Sequence, residues 1–257
     1  MYQELATIIS NEEIMPGIHL LKVKSAQMAA EAKPGQFVML SSDNSETRLL
    51  RRPISLHSIK GDVLHFLFAI VGDGTLWLSQ RQKGESLDIL GPAGNGFSFD
   101  SETRHLLLIA GGMGIAPLIY LAEIAIKNGL SVKMAVGAKT KSLLLPTNSI
   151  PQGMEYLTAT ENGTQGEKGL VTSILQRNAS WADQIFVCGP LPMYQAIRNS
   201  SQPFLCGKPT QVSLEVRMGC GMGICYSCTV KTARGLKQVC KDGPVFDFNE
   251  IDWNYLN

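Results

Sequence analysis

Four cysteines near the end of the chain are the residues best equipped for chemistry: Cys220, Cys225, Cys228 and Cys240, spaced Cys-x4-Cys-x2-Cys-x11-Cys. Thiolates gathered this densely hold soft metal centres. The first two enclose Gly221-Met222-Gly223-Ile224, and glycines suit a loop that turns its amides inward toward sulfur. The first three positions match the plant-type spacing of a [2Fe–2S] cluster, while the fourth arrives after only eleven residues. Tetrahedral zinc is the rival, since four thiolates suit it too. Zinc ribbons pair two Cys-x2-Cys knuckles, whereas here only Cys225 and Cys228 make one, so the spacing favours iron and sulfide. Cys206 has no such context and is expected to be a small buried apolar residue.

Other residues suit nucleotides. Leu49-Leu50-Arg51-Arg52-Pro53-Ile54-Ser55 sets two guanidiniums before a proline-stiffened strand that ends in a hydroxyl. An arginine can clamp a pyrophosphate and Ser55 can hydrogen-bond a flavin edge, although two arginines at a strand end, taken alone, are more often a solvated edge. Gly72-Asp73-Gly74-Thr75 offers amides and a hydroxyl to phosphate just before a helix expected over Leu76–Gln82. The turn Gly111-Gly112-Met113-Gly114-Ile115-Ala116-Pro117 lies between strand and helix, where a dinucleotide approaches the carboxyl ends of parallel strands. Cys188-Gly189-Pro190 closes another strand at that face, so it is placed to meet a nicotinamide ring; Cys188 also reads as a packed core thiol. His19, His57, His65 and His105 show no metal-ligand spacing.

The elements that position these groups fall into three stretches. Residues 1–100 read as short strands between turn signals, at Glu4–Ser10, Gly17–Val23, Gln36–Ser41, Ile54–Ile59, Val63–Ile70 and Ser86–Leu90, which suggests an antiparallel β barrel. Residues 101–208 alternate apolar runs with helical periodicity: strand Leu106–Ala110, helix Pro117–Lys127, strand Ser131–Val136, then Glu155–Thr160, Gly169–Arg177, Gln184–Cys188 and a helix near Pro192–Arg198. That is an α/β layer on a parallel sheet. Residues 209–257 are dense in Cys and Gly, with a short strand Gln211–Glu215, and read as a small metal-held module.

Composition narrows the partners. With 23 Lys+Arg against 22 Asp+Glu, the 257 residues carry a net charge of +1 and no electrostatic footprint for nucleic acid or an anionic membrane. A 44% hydrophobic content excludes disorder as the main state. The uncharged run from Leu106 to Ala122 is broken by Gly111, Gly112, Gly114 and Pro117, so it reads as strand, turn and helix rather than a membrane span. The first residues carry no basic, apolar leader pattern, and a cytoplasmic location is expected.

Together, Arg52-Pro53-Ile54-Ser55, Gly91-Pro92-Ala93-Gly94, the Gly111–Pro117 turn and Cys188-Gly189-Pro190 resemble the ferredoxin–NADP reductase superfamily. The cysteine loop, followed by Val239-Cys240-Lys241-Asp242-Gly243-Pro244-Val245-Phe246, narrows this to a resemblance with the electron transfer subunits of class 1B dihydroorotate dehydrogenases. The resemblance covers essentially the whole chain. It implies FAD on the barrel, NAD on the α/β domain and [2Fe–2S] in the C-terminal module. It also implies an FMN-containing catalytic subunit that oxidises dihydroorotate, in a heterotetramer serving pyrimidine synthesis. Electrons would run from that FMN through the cluster and FAD to NAD+, and no residue of this chain is assigned as catalytic for dihydroorotate. By the same carry-over, Arg52, Pro53, Ile54, Ser55, Leu67, Phe68, Ala69, Gly74 and Thr75 match flavin-contacting positions, and the four cysteines match cluster ligands. The superfamily prefers Tyr where Ile54 stands, and relatives often carry Tyr-Arg where Phe68-Ala69 stands. Lys139-Thr140-Lys141 would suit a 2′-phosphate, while the resemblance favours NAD. Subunits of the same build serve sulfide dehydrogenases, hydrogenases and ferredoxin–NADP reductases, and a zinc-stapled interaction module is the non-redox alternative.

Overall fold

The computed structural model describes residues 1–41, 50–200 and 204–256. Leu49, the first residue of the Arg-Arg-Pro motif, lies outside them.

Alternating apolar residues and glycine turns build the first layer. The strands β1 (Tyr2–Met15), β2 (Ile18–Lys24), β3 (Phe37–Leu40), β4 (Arg52–Lys60), β5 (Val63–Ala69) and β6 (Ser86–Ala93) close an antiparallel barrel in the order β1-β2-β5-β4-β3-β6. Closure removes the edges that a small open sheet would leave unpaired. Leu21, Val23, Leu40, Leu56, Phe66 and Ile89 fill its interior. Two short helices sit on the barrel, α1 (Ala26–Glu31) and α2 (Asp73–Ser79). The sequence reading omitted α1, although Ser25 before an Ala-rich run is a cap signal; its side chain accepts from Met28 N. It also placed α2 three residues late, because Thr75 closes the first turn rather than preceding it.

The second layer is a sheet in the order β10-β9-β8-β7-β11-β12-β15. Its members are β7 (His105–Gly111), β8 (Ser131–Ala138), β9 (Glu155–Thr160), β10 (Glu167–Lys168), β11 (Gln184–Cys188) and β12 (Thr210–Ser213), all parallel, with α3 (Ile115–Lys127), α4 (Val171–Asn178) and α5 (Leu191–Asn199) between them. The unbroken apolar runs of β7 and β11 are what a sheet covered on both faces requires. A hairpin of β13 (Thr229–Thr232) and β14 (Gly235–Gln238) and a single turn α6 (Val239–Asp242) follow, and β15 (Val245–Asp247) then pairs antiparallel with β12.

The C-terminal stretch is thus joined to the α/β sheet by two strands, and its fold is carried by strand pairing as well as by its thiols. One core holds Phe37 and Met39 of the barrel, Ile185 and Val187 of the sheet, and Cys228, Val239 and Phe246 of the C-terminal stretch. Cys206 differs from expectation: it is exposed, in a surface turn where its own φ is +49°. No helix of the described residues is long and apolar enough to cross a membrane.

Candidate cofactor clefts and cluster site

The larger of two adjoining clefts, about 610 Å³, opens at the carboxyl ends of β7, β8, β9 and β11. The N-cap of α3 and the first turns of α4 and α5 line it, and the N-caps of the three helices, Gly114, Leu170 and Pro190, supply no side-chain hydrogen bond. No side chain covers these helix ends, and the helix dipoles favour an anionic ligand there. By contrast, α1 is capped by Ser25 and α2 by Thr75.

Of the dinucleotide residues chosen from sequence, Gly111, Gly112, Met113, Gly114, Gly189 and Pro190 line this cleft. Ala116 lines the neighbouring one instead. Ile115 and Pro117 are buried in the packing of α3 and line neither. Cys188 is buried behind the wall, with its thiol 3.9 Å from Glu215 Oε1; burial, chiefly, pushes that thiol well up. The glycines let the two turns touch. A Cβ at Gly111 would sit 2.7 Å from Pro190 Cδ, and one at Gly114 would sit 2.8 Å from Gly189 N.

Lys139, considered from sequence for a 2′-phosphate, lines the larger cleft, and sequence reasoning missed Leu143, Glu161, Leu170 and Glu215, which line it too. Lys139 and Glu161 directly follow β8 and β9, so their signal was position at a strand's carboxyl end. Leu143 and Leu170 are 46% and 57% exposed, an unusual state for leucines facing a cleft.

The smaller cleft, about 240 Å³, lies against the barrel. Pro53, Ile54, Ser55, Leu67, Phe68, Ala69 and Thr75 line it, joined by Val216 and Met218 from the chain leading to the cysteines. Arg52 and Gly74 stand beyond the lining and against each other, since a Cβ at Gly74 would be 2.8 Å from Arg52 Cζ. Arg51 is committed elsewhere, paired with Asp88 at 2.5 Å. The Thr75 hydroxyl accepts from Val71 N and Gly72 N and donates to Gly72 O, so it shapes the loop. Met113 and Glu215 line both clefts. Glu215 is open toward the clefts and crowded by protein on its other sides, and this crowding raises its pKa above the usual carboxylate range.

The four cysteines are free thiols arranged in two pairs: Cys220 with Cys225, and Cys228 with Cys240. Among the described residues no three metal-binding side chains converge on one ion, whereas two pairs suit two irons. Backbone amides point at sulfur: Met222 N at 3.4 Å and Ile224 N at 3.3 Å from Cys220 Sγ, Gly223 N at 3.1 Å from Cys240 Sγ, and Cys240 N at 3.4 Å from Cys228 Sγ. Gly221 and Gly223, at φ +71° and +82°, give the loop that inward turn. The Ser227 hydroxyl lies 3.2 Å from Cys225 Sγ and, with the surrounding amides, lowers that thiol's pKa to about 6. Burial and the Cys228 neighbour raise Cys240 to about 12. The donor set therefore fits a thiolate-held cluster, open on the Cys225 side and buried on the other.

The dihydroorotate dehydrogenase B (NAD(+)) electron transfer subunit of Bacillus pumilus (strain SAFR-032) is 36% identical over 98% of this chain and 98% of its own length. The chain belongs to that family. The corresponding subunit from Geobacillus sp. (strain WCH70) is 35% identical, covering 98% of this chain and 99% of its own. Residues 215–252 match the iron–sulfur cluster binding domain of dihydroorotate dehydrogenase B, which decides between the two metal readings in favour of iron and sulfide. This member of the electron transfer subunit family also shares its fold with a chain of the NADH-dependent reduced ferredoxin–NADP oxidoreductase, at TM-score 0.87 and 28% identity, over 98% of this chain and 91% of that one. A ferredoxin–NADP+ reductase from Neisseria gonorrhoeae, 17% identical at TM-score 0.63, covers 76% of this chain and 88% of its own and has the same reductase fold.

Proposed function

We propose that this chain passes electrons from a catalytic subunit that oxidises dihydroorotate to NAD+, with FAD in the smaller cleft, NAD in the larger and a [2Fe–2S] cluster on Cys220, Cys225, Cys228 and Cys240. The observation that carries this reading is contiguity. Met113 and Glu215 line both clefts, and Met218, two residues before Cys220, lines the smaller. The barrel (1–100) would hold the flavin, the α/β layer (101–208) the dinucleotide and the last stretch (209–257) the cluster. When bound, the cluster exchanges single electrons and the flavin couples them to the hydride that NAD+ accepts.

The chain's own residues bind and orient. Pro53, Ile54, Ser55, Leu67, Phe68 and Ala69 give the flavin ring an apolar bed with a hydroxyl at one edge, while Arg52 beside Gly74 offers a guanidinium to its pyrophosphate. The N-cap of α3 and the first turns of α4 and α5, uncovered by side chains, would receive the dinucleotide phosphates. Leu143 and Leu170 line the cleft and would give an adenine an apolar surface, and Glu161 there would favour a free ribose 2′-hydroxyl over a 2′-phosphate, which supports NAD over NADP despite Lys139. Glu215, whose pKa desolvation raises above the usual carboxylate range, presents its carboxyl where the two rings would meet.

The partner would be an FMN-containing subunit, with the two kinds of chain forming a cytoplasmic heterotetramer. Met222, Ile224 and Tyr226, exposed on the cysteine loop, offer it an apolar docking edge. Anaerobic purification of the chain coexpressed with its partner tests the proposal: FAD, with iron and acid-labile sulfide in equal amounts, is expected. Zinc without sulfide or flavin would overturn it, and copurification with a subunit of different chemistry would reassign the electron donor.

A further inference from the structure

The seam between the clefts is built around a β-bulge. Along β4 the pairing with β5 slips between Leu56 and Ser58, so His57 is the extra residue and Leu56, His57 and Ser58 are buried in succession. A bulge breaks the in–out alternation of a strand and re-aims a side chain. Here it sends His57, only 7% exposed, out of the barrel and onto α3, where Nδ1 lies 3.1 Å from Ala116 O. A carbonyl only accepts, so Nδ1 carries the proton.

Both ends of this link are placed to matter. His57 lies two residues after Ser55 on the strand that lines the smaller cleft. Ala116 lines that cleft too, and it is in the first turn of α3, directly after the glycine turn of the larger cleft. Two turns further along α3, Glu123 receives Ser58 Oγ at 2.6 Å and Lys60 Nζ at 2.7 Å, which ties the far end of the same seam.

We infer that His57 is a positioning residue for hydride transfer: its bond to Ala116 O sets the spacing between the flavin-side strand and the dinucleotide-side turn. The inference rests on the proposed occupancy of the two clefts. Hydride transfer moves both electrons together with one hydrogen between a carbon and a nitrogen centre, and it demands close approach of the two rings. Misplacement by 1 Å costs a rate factor of about a hundred.

The test compares His57→Gln with His57→Asn in the holoprotein. Asn puts an amide N–H where Nδ1 stands, whereas Gln puts one near Nε2. For His57→Gln, flavin reduction by NADH in anaerobic stopped flow is expected to slow about tenfold to a hundredfold. Flavin content and the NADH dissociation constant should stay within about twofold. For His57→Asn, a return to within about threefold of wild type is expected. In the flavin-free chain, amide exchange across 113–120 should quicken for Gln and not for Asn. Wild-type rates in His57→Gln, an equal loss in both variants, or loss of flavin and NADH affinity along with rate would each overturn the assignment. Should the wild-type chain itself take up neither ligand, the functional reading fails, and the exchange comparison still judges the seam.

Discussion

Replacing Gly114 by Ala tests how the dinucleotide cleft is built. The added methyl would fall within the Cys188 carbonyl group and 2.8 Å from Gly189 N, both backbone atoms that cannot swing aside. Ordinary contact begins at 3.4 Å, so the β7–α3 and β11–α5 turns must part by about 0.6 Å at Gly189 and by more at Cys188. Overpacking of this kind costs about 1–3 kcal/mol. For a chain of this size each kcal/mol lowers Tm by about 2–4 °C, so a fall of roughly 4–8 °C is expected for a 2 kcal/mol loss. The same turns supply the amides and glycine surfaces of the larger cleft, so NADH affinity should drop by about tenfold or more, against the hundredfold scale of a 1 Å misplacement. Flavin and iron content, which the proposed occupancy assigns to the other cleft and the cysteine loop, should not change. Thermal unfolding and NADH titration of the holoprotein provide the readouts. A Gly114→Ala variant with wild-type Tm and NADH affinity would refute the claim that these turns are in contact by necessity.

Other substitutions probe the remaining parts. Glu161→Lys should raise the NADPH-to-NADH preference by about tenfold, the scale of one charge reversal beside a phosphate, read as a ratio of kcat/KM values. Cys225→Ser should abolish the cluster's visible absorbance while FAD is retained, and Cys206→Ser, in its surface turn, should change neither. Ile224→Glu should weaken association with the catalytic subunit in gel filtration and leave the iron content intact. Burial first, and then Lys22, hold His65 down to about 4 against its ordinary 6.5. Above pH 6.5 the group is neutral folded or unfolded. Between 6.5 and about 4 the unfolded chain takes a proton that the folded chain does not, so Tm should fall across that window and level off below it. His65→Gln should flatten part of that fall, and an unchanged slope would assign it to other groups.

Local chemistry was readable at once. The cysteine spacing pointed to iron and sulfide, and the four thiols do form two pairs ringed by amides. The six barrel strands and the β–α–β order were legible because alternation, apolar runs and glycine turns are short-range properties. Other residues misled because their partners are distant in sequence. Arg51 looked as available as Arg52, yet Asp88 on β6 claims it. His57 looked inert, because nothing in its neighbours reveals a bulge that depends on how β4 pairs with β5.

The sequence by itself therefore determined the kinds of group present and their order: thiols for a cluster, glycine turns for a dinucleotide, an arginine and a hydroxyl for a flavin. Tertiary structure alone decided which of them meet. It knit β12 and β15 into one sheet, brought three uncapped helix ends to a single cleft and placed Met113 and Glu215 between that cleft and its neighbour. The physical reason is range. A residue's chemistry and local geometry are encoded within a few positions, whereas contacts such as His57 with Ala116, 59 residues apart, exist only once apolar burial has packed the barrel against the sheet.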